Sequence, residues 1–285
     1  FKPLDTCARY MLETFSGKTK LEKMSATSWL QETLFDPARA EQRPLFQIRN
    51  PEIHGLLSLP ARQPALYSFA ELRPVLAQKD DMILKIVQSD EKEWTPAQKA
   101  LIELKRNVTT FDRLHNSLVL FLPLSTILPE GMPPSLSAYE GQTLRFIDAV
   151  KFRETLDQEL RGIIREKGED ITAYTDVEMA IAHLAFTLTA IQTTGKDSTL
   201  FRVIPDMNDK STPQLWYAPW DIVLSGKGHP DTQPLFEQWM DLAQHYHAGD
   251  RNAWFISLDR LHQEMIDLQM PSYRPQSLHL EVLYN

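Results

Sequence analysis

Two histidines stand where an imidazole could bind a metal or a cofactor. His115 falls on the apolar side of a predicted helix, and His183 lies inside the run AIAHLAFTLTAI. A neutral imidazole in an apolar site can be an axial ligand of haem iron. The same placement is typical of a core histidine that is hydrogen-bonded to a backbone carbonyl or a carboxylate. The sequence leaves both interpretations open, haem ligand or structural histidine.

Elsewhere the sequence does not indicate a metal site or a catalytic site. Glu237, Asp241 and His245 recur at one-turn spacing and could reach one metal ion, but any exposed helix face supplies such a set. The chain has none of the patterns G-x-S-x-G, G-x-x-x-x-G-K-[ST], G-x-G-x-x-G, H-E-x-x-H or C-x-x-C-H. Cys7 is its only cysteine, which excludes an internal disulfide. We therefore assign no catalytic residue and no metal ligand.

Residues 200–221, LFRVIPDMNDKSTPQLWYAPWD, are the least ordinary segment of the chain. The run at 200–204 is β-branched and aromatic, which favours an extended backbone, and a polar turn follows it. The segment then combines large rings with a rigid proline, at Trp216, Tyr217, Pro219 and Trp220. Such rings pin helices together when they are buried and form a partner surface when they are exposed. Both a structural clamp and a partner-binding surface stay open.

The remaining sequence has mostly helical periodicity. Capping residues open five predicted helices, at Ser25, Ser68, Thr95, Ser137 and Thr175. The apolar seam that starts after Thr95 continues to Leu122, and the helix from Ser137 continues towards Gly168. The predicted fold class is mainly α, an irregular multi-helix array with helical hairpins and at most one small β element near residues 200–204.

Prolines divide the chain into two predicted halves. We expect an N-terminal helical half at residues 1–122, a proline-rich crossover at 123–134 and a C-terminal helical half at 135–285, or else one continuous domain. Residues 235–247 and 250–270 are predicted to form a helical hairpin. No period of about 34 residues repeats, so a tetratricopeptide array is not indicated.

Composition limits the partners. A chain of 285 residues with 42% hydrophobic and 24% charged residues is long enough to bury a substantial core. Its net charge is -8, so we exclude nucleic acid as a partner, because no basic stripe offsets the repulsion from phosphates.

No apolar run approaches the roughly 18 residues of a membrane span. The chain starts at Phe1 and not at Met, and we expect it to be part of a longer protein.

Three segments resemble one protein family. The opening FKPLDTCARYMLETFSGK carries the match at Pro3, Leu4, Asp5, Thr6, Ala8, Arg9 and Gly17. The Asn-Asp turn with the Trp-Tyr-x-Pro cluster comes next, and LHLEVLYN ends the chain. In this order they resemble the extracytoplasmic region of the cytochrome c assembly proteins of the System II (Ccs-type) pathway. Cys7 stands where that family has an aromatic residue, so it is given no role.

The resemblance implies the periplasmic, soluble part of a polytopic membrane protein that moves haem across the bacterial inner membrane and attaches it to apocytochrome c. The implied partners are apocytochrome c, a membrane partner subunit and the membrane helices of the parent chain. Haem is the implied cofactor of the parent protein, which belongs to a haem-attaching synthase. The family's haem-handling histidines lie in membrane parts outside this sequence, so the resemblance transfers no ligand. We expect this domain to dock and position its partner rather than to catalyse.

In the opening segment Asp5 is expected to cap the first helix and Arg9 to bind a carboxylate, which makes Asp5, Thr6 and Arg9 structural or partner-binding residues.

The alternative function is a helical protein–protein or peptide interaction module unrelated to haem, with the hairpin as its groove.

Overall fold

The computed structural model describes residues 4–21, 24–209 and 215–268. Helix makes up 66% of the structure, which confirms the mainly α-helical class and the irregular array of helices. The chain divides into two compact units. Among the described residues, the first unit extends to His115 and the second begins at Asn116. The proline-rich segment 123–134 belongs to the second unit.

The first unit joins its helices through an aromatic core. The helices are α1 (Leu4–Ser16), α2 (Ala26–Phe35), α3 (Pro37–Gln42), α4 (Pro51–Leu56), α5 (Phe69–Ala77), α6 (Asp80–Gln88) and α7 (Pro96–His115), and the antiparallel strands are β1 (Phe46–Gln47) and β2 (Leu66–Tyr67). The ring of Phe46 lies 5.6 Å from those of Phe15 and Phe111, centroid to centroid. Phe69 lies 5.2 Å from Phe111. These rings tie α1, β1, α5 and α7 together.

The second unit has two more short antiparallel sheets and the predicted hairpin. Its elements are β3 (Pro123–Ile127), β4 (Thr143–Arg145), α8 (Phe146–Ala149), α9 (Arg153–Lys167), α10 (Asp176–Gly195), β5 (Ile204–Pro205), β6 (Trp216–Tyr217), α11 (Pro219–Ser225), α12 (Gln233–Ala248) and α13 (Arg251–Asp267). β3 pairs with β4 and β5 with β6. β5 falls at the β element expected near residues 200–204. The hairpin of α12 and α13 is confirmed: Gly249 ends α12 at φ 67°, and Asp250 caps α13.

Two predicted helices differ from the observed ones. The helix after Thr95 ends at His115 and not at Leu122, and the chain then enters β3. Ser137 begins only a 3₁₀ turn, and β4 interrupts the helix that was expected to continue to Gly168. The two strands responsible, β3 and β4, pair with each other. Pairing between distant segments, which local capping signals cannot report, therefore decides the structure here.

A junction of strand and helix occurs three times. In each sheet the second strand leads into a helix whose third residue is acidic, at Glu71, Asp148 and Asp221. Glu71 accepts the Ser68 backbone N–H at 2.8 Å, and Asp221 accepts the Ala218 N–H at 2.9 Å. Asp148 instead accepts from the Arg145 guanidinium at 2.6 Å. The acid fixes the start of the helix against the strand in all three places.

The two long helices α7 and α10 are local copies of each other. Each has 20 residues and follows a 3₁₀ turn that an aspartate caps. The matching positions are Asp90 and Asp170, Trp94 and Tyr174, Thr95 and Thr175, and Gln98 and Glu178. The threonine and the amide or acid form the same reciprocal cap in both helices. The aromatic side chain donates back to the segment before the turn, from Trp94 to Ser89 and from Tyr174 to Gly168.

Gly195, the last residue of α10, lies directly against the Trp220 ring. A Cβ at this position would lie 2.6 Å from three ring atoms. We predict that Gly195→Ala lowers the free energy of unfolding by about 1–3 kcal/mol, the usual cost of overpacking. In the control Gly162→Ala, within α9, a Cβ meets nothing within 4 Å, and better helix propensity should add about 0.5–1 kcal/mol. Urea denaturation measures both changes; equal stabilisation would contradict the close approach.

Candidate functional site

Pro219 and Trp220 are the structural part of the aromatic cluster. Both are buried, and Trp220 is completely inaccessible to solvent. The Trp220 indole N–H donates to the Asn116 carbonyl at 2.9 Å, and its ring lies 5.2 Å from that of Phe146. Buried indoles require such a partner. Trp220 thus connects α11 to α8 and to the start of the second unit.

Trp216 and Tyr217 are only half-buried, so each keeps part of its ring at the surface. The Tyr217 hydroxyl donates to Asp206 Oδ2 at 2.7 Å. This hydrogen bond raises the pKa of Tyr217, because an ionised phenol would lose the bond and would be repelled by the carboxylate. Lys227 Nζ lies 5.5 Å from the centre of the Tyr217 ring. The cluster therefore separates into a core half and a surface half.

His115 is placed as a core histidine. It is 2% exposed, with Nδ1 at 3.1 Å from the Phe111 carbonyl and Nε2 at 3.0 Å from Glu41 Oε1. Hydrogen-bond partners therefore occupy the positions next to both ring nitrogens. The bond to His115 holds the pKa of Glu41 below its usual value, against the opposing effect of burial. An iron ligand needs a free nitrogen lone pair, so this geometry favours the structural interpretation.

His183 differs from His115 in exposure and in bonding. Although it lies in an apolar run, its side chain is on the outer side of α10, with Nδ1 at 2.7 Å from Thr126 Oγ1. Nε2 has no hydrogen-bond partner within the described residues. An imidazole oriented through one nitrogen and open at the other is suited to binding a metal. The haem-ligand hypothesis therefore stays a prediction for His183, and the two histidines lie in different units.

In the opening segment a pair forms inside α1. Asp5 is the second residue of α1, so the prediction that it caps the helix is wrong. Its Oδ2 accepts from Arg9 Nε at 2.7 Å, and the prediction that Arg9 binds a carboxylate is confirmed. Thr6 Oγ1 is buried, and no hydrogen-bond partner for it is present among the described residues. Pro3 and the terminal LHLEVLYN fall outside the described ranges. The pair stabilises the first helix locally, as i, i+4 ion pairs do.

A cleft of about 480 Å³ opens in the first unit between α1, the segment from β1 to α4, and α7. Its volume is in the range of ligand pockets, about 300–1,000 Å³. Buried apolar side chains line it, among them Phe15, Phe46 and Leu104. Exposed charged side chains stand beside them: Glu13 from α1, Arg49 from the β1–α4 segment and Glu103 from α7. Sequence reasoning missed this site, because its lining comes from three segments far apart in the chain.

Arg49 supplies the positive charge of the cleft. Its Nε donates to Gln47 Oε1 at 3.1 Å, and no carboxylate in the described ranges forms an ion pair with it. Gly17 lies underneath at φ 71°, and a Cβ there would come within 2.6 Å of Gln47 Oε1 and closer still to Arg49 Nη2. Glycine is needed at position 17 for its left-handed backbone conformation, whereas the ends of the flexible Gln47 and Arg49 side chains could move aside. Gly17 is also one of the residues that carry the family resemblance.

The cleft combines a guanidinium, two carboxylates and an apolar lining, which suits reversible binding of a polypeptide segment.

Among the described residues, no group of three or more His, Cys, Asp or Glu side chains is arranged to hold a metal ion. Within the same ranges, no helix is long and apolar enough to cross a membrane. Neither a known protein family, nor a curated protein, nor a solved structure matches this chain.

Proposed function

We propose that this chain is the extracytoplasmic domain of a cytochrome c biogenesis protein and that it docks and positions apocytochrome c for haem attachment. The Ccs-type resemblance of the opening segment, the Trp-Tyr-x-Pro cluster and the chain end supports the family. Periplasmic location, a membrane partner subunit and haem chemistry in the parent protein belong to the same proposal. The domain contributes non-covalent binding, and the thioether chemistry takes place elsewhere in the parent protein.

The cleft of the first unit is the observation that carries the docking role. Arg49 has a guanidinium without an ion-pair partner in the described chain, and its donors can bind carbonyl or carboxylate oxygens of a peptide. The apolar lining at Phe15 and Leu104 can take a side chain of the same peptide. Gly17, in the family-like opening, lies next to the end of the Arg49 side chain. The part of the chain that resembles the family thus lies along the cleft.

Fluorescence anisotropy with a labelled apocytochrome peptide containing C-x-x-C-H tests this role. We expect saturable binding that is at least about 10-fold tighter than that of a scrambled peptide. Arg49→Ala should weaken binding by about 10- to 30-fold, as loss of an arginine anchor does. Arg106→Ala is the matched control, because Arg106 is an exposed arginine on α7 outside the cleft. Equal binding of both peptides would contradict the positioning role.

One observation favours the second candidate, a helical interaction module unrelated to haem. On α13, the outer helix of the hairpin, Phe255 and Ile256 are 62% and 53% exposed. Exposed large apolar side chains of this kind are typical of protein-binding surfaces. Peptide binding that survives Arg49→Ala but is lost in Phe255→Ser would transfer the docking role to the hairpin. Phe255→Ser should leave peptide binding unchanged if the cleft is the docking site.

A further inference from the structure

The strand β1 has one edge that its sheet does not use. Phe46 pairs with Tyr67 of β2, and the Ile48 N–H donates to the Ala65 carbonyl at 3.0 Å. Backbone groups of successive strand residues point to opposite edges, so the N–H and C=O of Gln47 point away from β2. Within residues 4–21, 24–209 and 215–268, no hydrogen bond to either group is present. The free edge of β1, at Gln47, therefore keeps an unpaired donor and an unpaired acceptor, as edge strands do.

The free edge of β1 lies along the cleft of the first unit. The lining contains four consecutive residues from this part of the chain, the buried Phe46 and Ile48 and the exposed Gln47 and Arg49. Successive side chains of a strand point to opposite faces, so the cleft touches both faces of β1. A cavity that touches both faces of a strand lies beside its edge. The ends of the Gln47 and Arg49 side chains lie near Gly17, and both are flexible enough to move aside.

We propose that the cleft binds an extended polypeptide segment, which adds to the free edge of β1 as a further strand of its sheet. The edge offers a main-chain donor and a main-chain acceptor, and the ligand that matches both is another extended main chain. A helical ligand does not match them, because its own backbone groups are bonded within the helix. Strand addition rests on the proposed docking role of the cleft and defines the conformation of the bound segment.

The other walls of the cleft define the side chains of the segment. One face of a bound strand meets the apolar lining at Phe15 and Leu104, so apolar residues are expected at alternate positions. Glu13 and Glu103 are exposed in the lining, and neither has an ion-pair partner in the part of the chain that the structure describes. A lysine or arginine of the segment complements these carboxylates. The ligand class is therefore an extended segment with alternating apolar residues, one basic residue and no proline at the paired positions.

N-methylation of the ligand tests strand addition without any change to the protein. The probe is a labelled peptide with valine at alternate positions and threonine, lysine and glutamate between them, and fluorescence anisotropy measures its binding to the full 285-residue chain. A methyl group on an amide that pairs with β1 removes a hydrogen bond and adds bulk at the edge. Methylation of one set of alternate residues should weaken binding by about 10-fold or more, and methylation of the intervening residues by less than about 3-fold. Equal sensitivity of both sets, or no binding of this peptide, would overturn strand addition.

Hydrogen exchange measured by nuclear magnetic resonance adds an internal control. The Ile48 amide is bonded to Ala65, so it should exchange slowly with and without peptide. The Gln47 amide should exchange rapidly in the free chain and about 10-fold or more slowly with saturating peptide. Gln47→Pro removes this donor at an edge position, where proline is tolerated, and should weaken binding by about 10-fold. A Gln47 amide that stays unprotected in the complex would overturn strand addition.

Two outcomes separate strand addition from the choice of apocytochrome c as the ligand. Binding of the alternating peptide that depends on N-methylation, together with equal binding of the C-x-x-C-H peptide and its scrambled form, would support strand addition and contradict the apocytochrome role. Specific binding of the C-x-x-C-H peptide that N-methylation does not weaken at any position would support the docking role and overturn strand addition.

Discussion

Trp220→Ala is expected to lower the free energy of unfolding by about 3–5 kcal/mol, the range for truncating a buried aromatic residue. The substitution removes three contributions to the stability of the fold. The ring is fully buried, its N–H donates to the Asn116 carbonyl, and one of its faces lies on Gly195. Because Gly195 ends α10, the cavity would open beside that helix. Urea denaturation followed by circular dichroism measures the loss.

Two further variants separate the effect of the indole hydrogen bond from the effect of burial. Trp220→Phe keeps an aromatic ring and removes the donor to Asn116, so we expect a smaller loss of about 1–2 kcal/mol. Trp216→Ala truncates the same residue type at a half-buried position of β6, and its cost should remain near 1 kcal/mol. Equal losses for Trp216→Ala and Trp220→Ala would contradict the division of the aromatic cluster into a core half and a surface half.

Glu32→Ala should lower the free energy of unfolding by about 1.5–3 kcal/mol, because it removes a buried carboxylate that accepts two charge-assisted hydrogen bonds. Glu32 is 4% exposed, and its two oxygens accept from Arg43 Nε at 2.6 Å and Nη2 at 2.8 Å. Arg43 follows α3 and leads into β1, so this pair anchors the segment that carries Gln47 and Arg49 into the cleft. We therefore expect Glu32→Ala to weaken peptide binding as well as stability.

The neighbouring arginine provides the matched control. Arg39 Nε also lies near Glu32, at 3.2 Å from Oε2, but its side chain is 67% exposed. An exposed pair contributes little, so Arg39→Ala should change the free energy of unfolding by less than about 1 kcal/mol. A double-mutant cycle between Glu32 and Arg43 should give a coupling of about 1–3 kcal/mol. Similar effects of Arg39→Ala and Arg43→Ala would contradict the central role of the Glu32–Arg43 pair.

Helix starts were predictable because a capping bond joins residues close in sequence. The caps at Ser25, Ser68, Thr95 and Thr175 all form as expected. Ser137 also lies at the start of a turn, yet β4 follows it, because β4 pairs with a strand that precedes it by many residues. Strands of two to five residues carry little signal of their own, and their partners were not visible in the sequence.

The repeat of α7 in α10 was hidden for a related reason. The two copies agree in their caps and in their buried positions, where Leu101 matches Ile181 and Leu104 matches Leu184. They differ along their outer sides, and those differences conceal the similarity in a search for a fixed short period. The cleft was equally hidden. Phe15, Arg49 and Glu103 lie on separate segments, so nothing in the sequence places them around one space.

The sequence by itself determined the helical class, the helix starts, the hairpin at Gly249 and the absence of charge along the middle of α10. These properties depend on hydrogen bonds and side-chain spacing within a few residues. Only the tertiary structure decided that His115 is buried and His183 exposed, and that Trp220 and not Trp216 is the core ring. The side of a helix that faces the core is set by what distant segments pack against it, and so is the shape of the cleft. A local pattern contains no information about those partners.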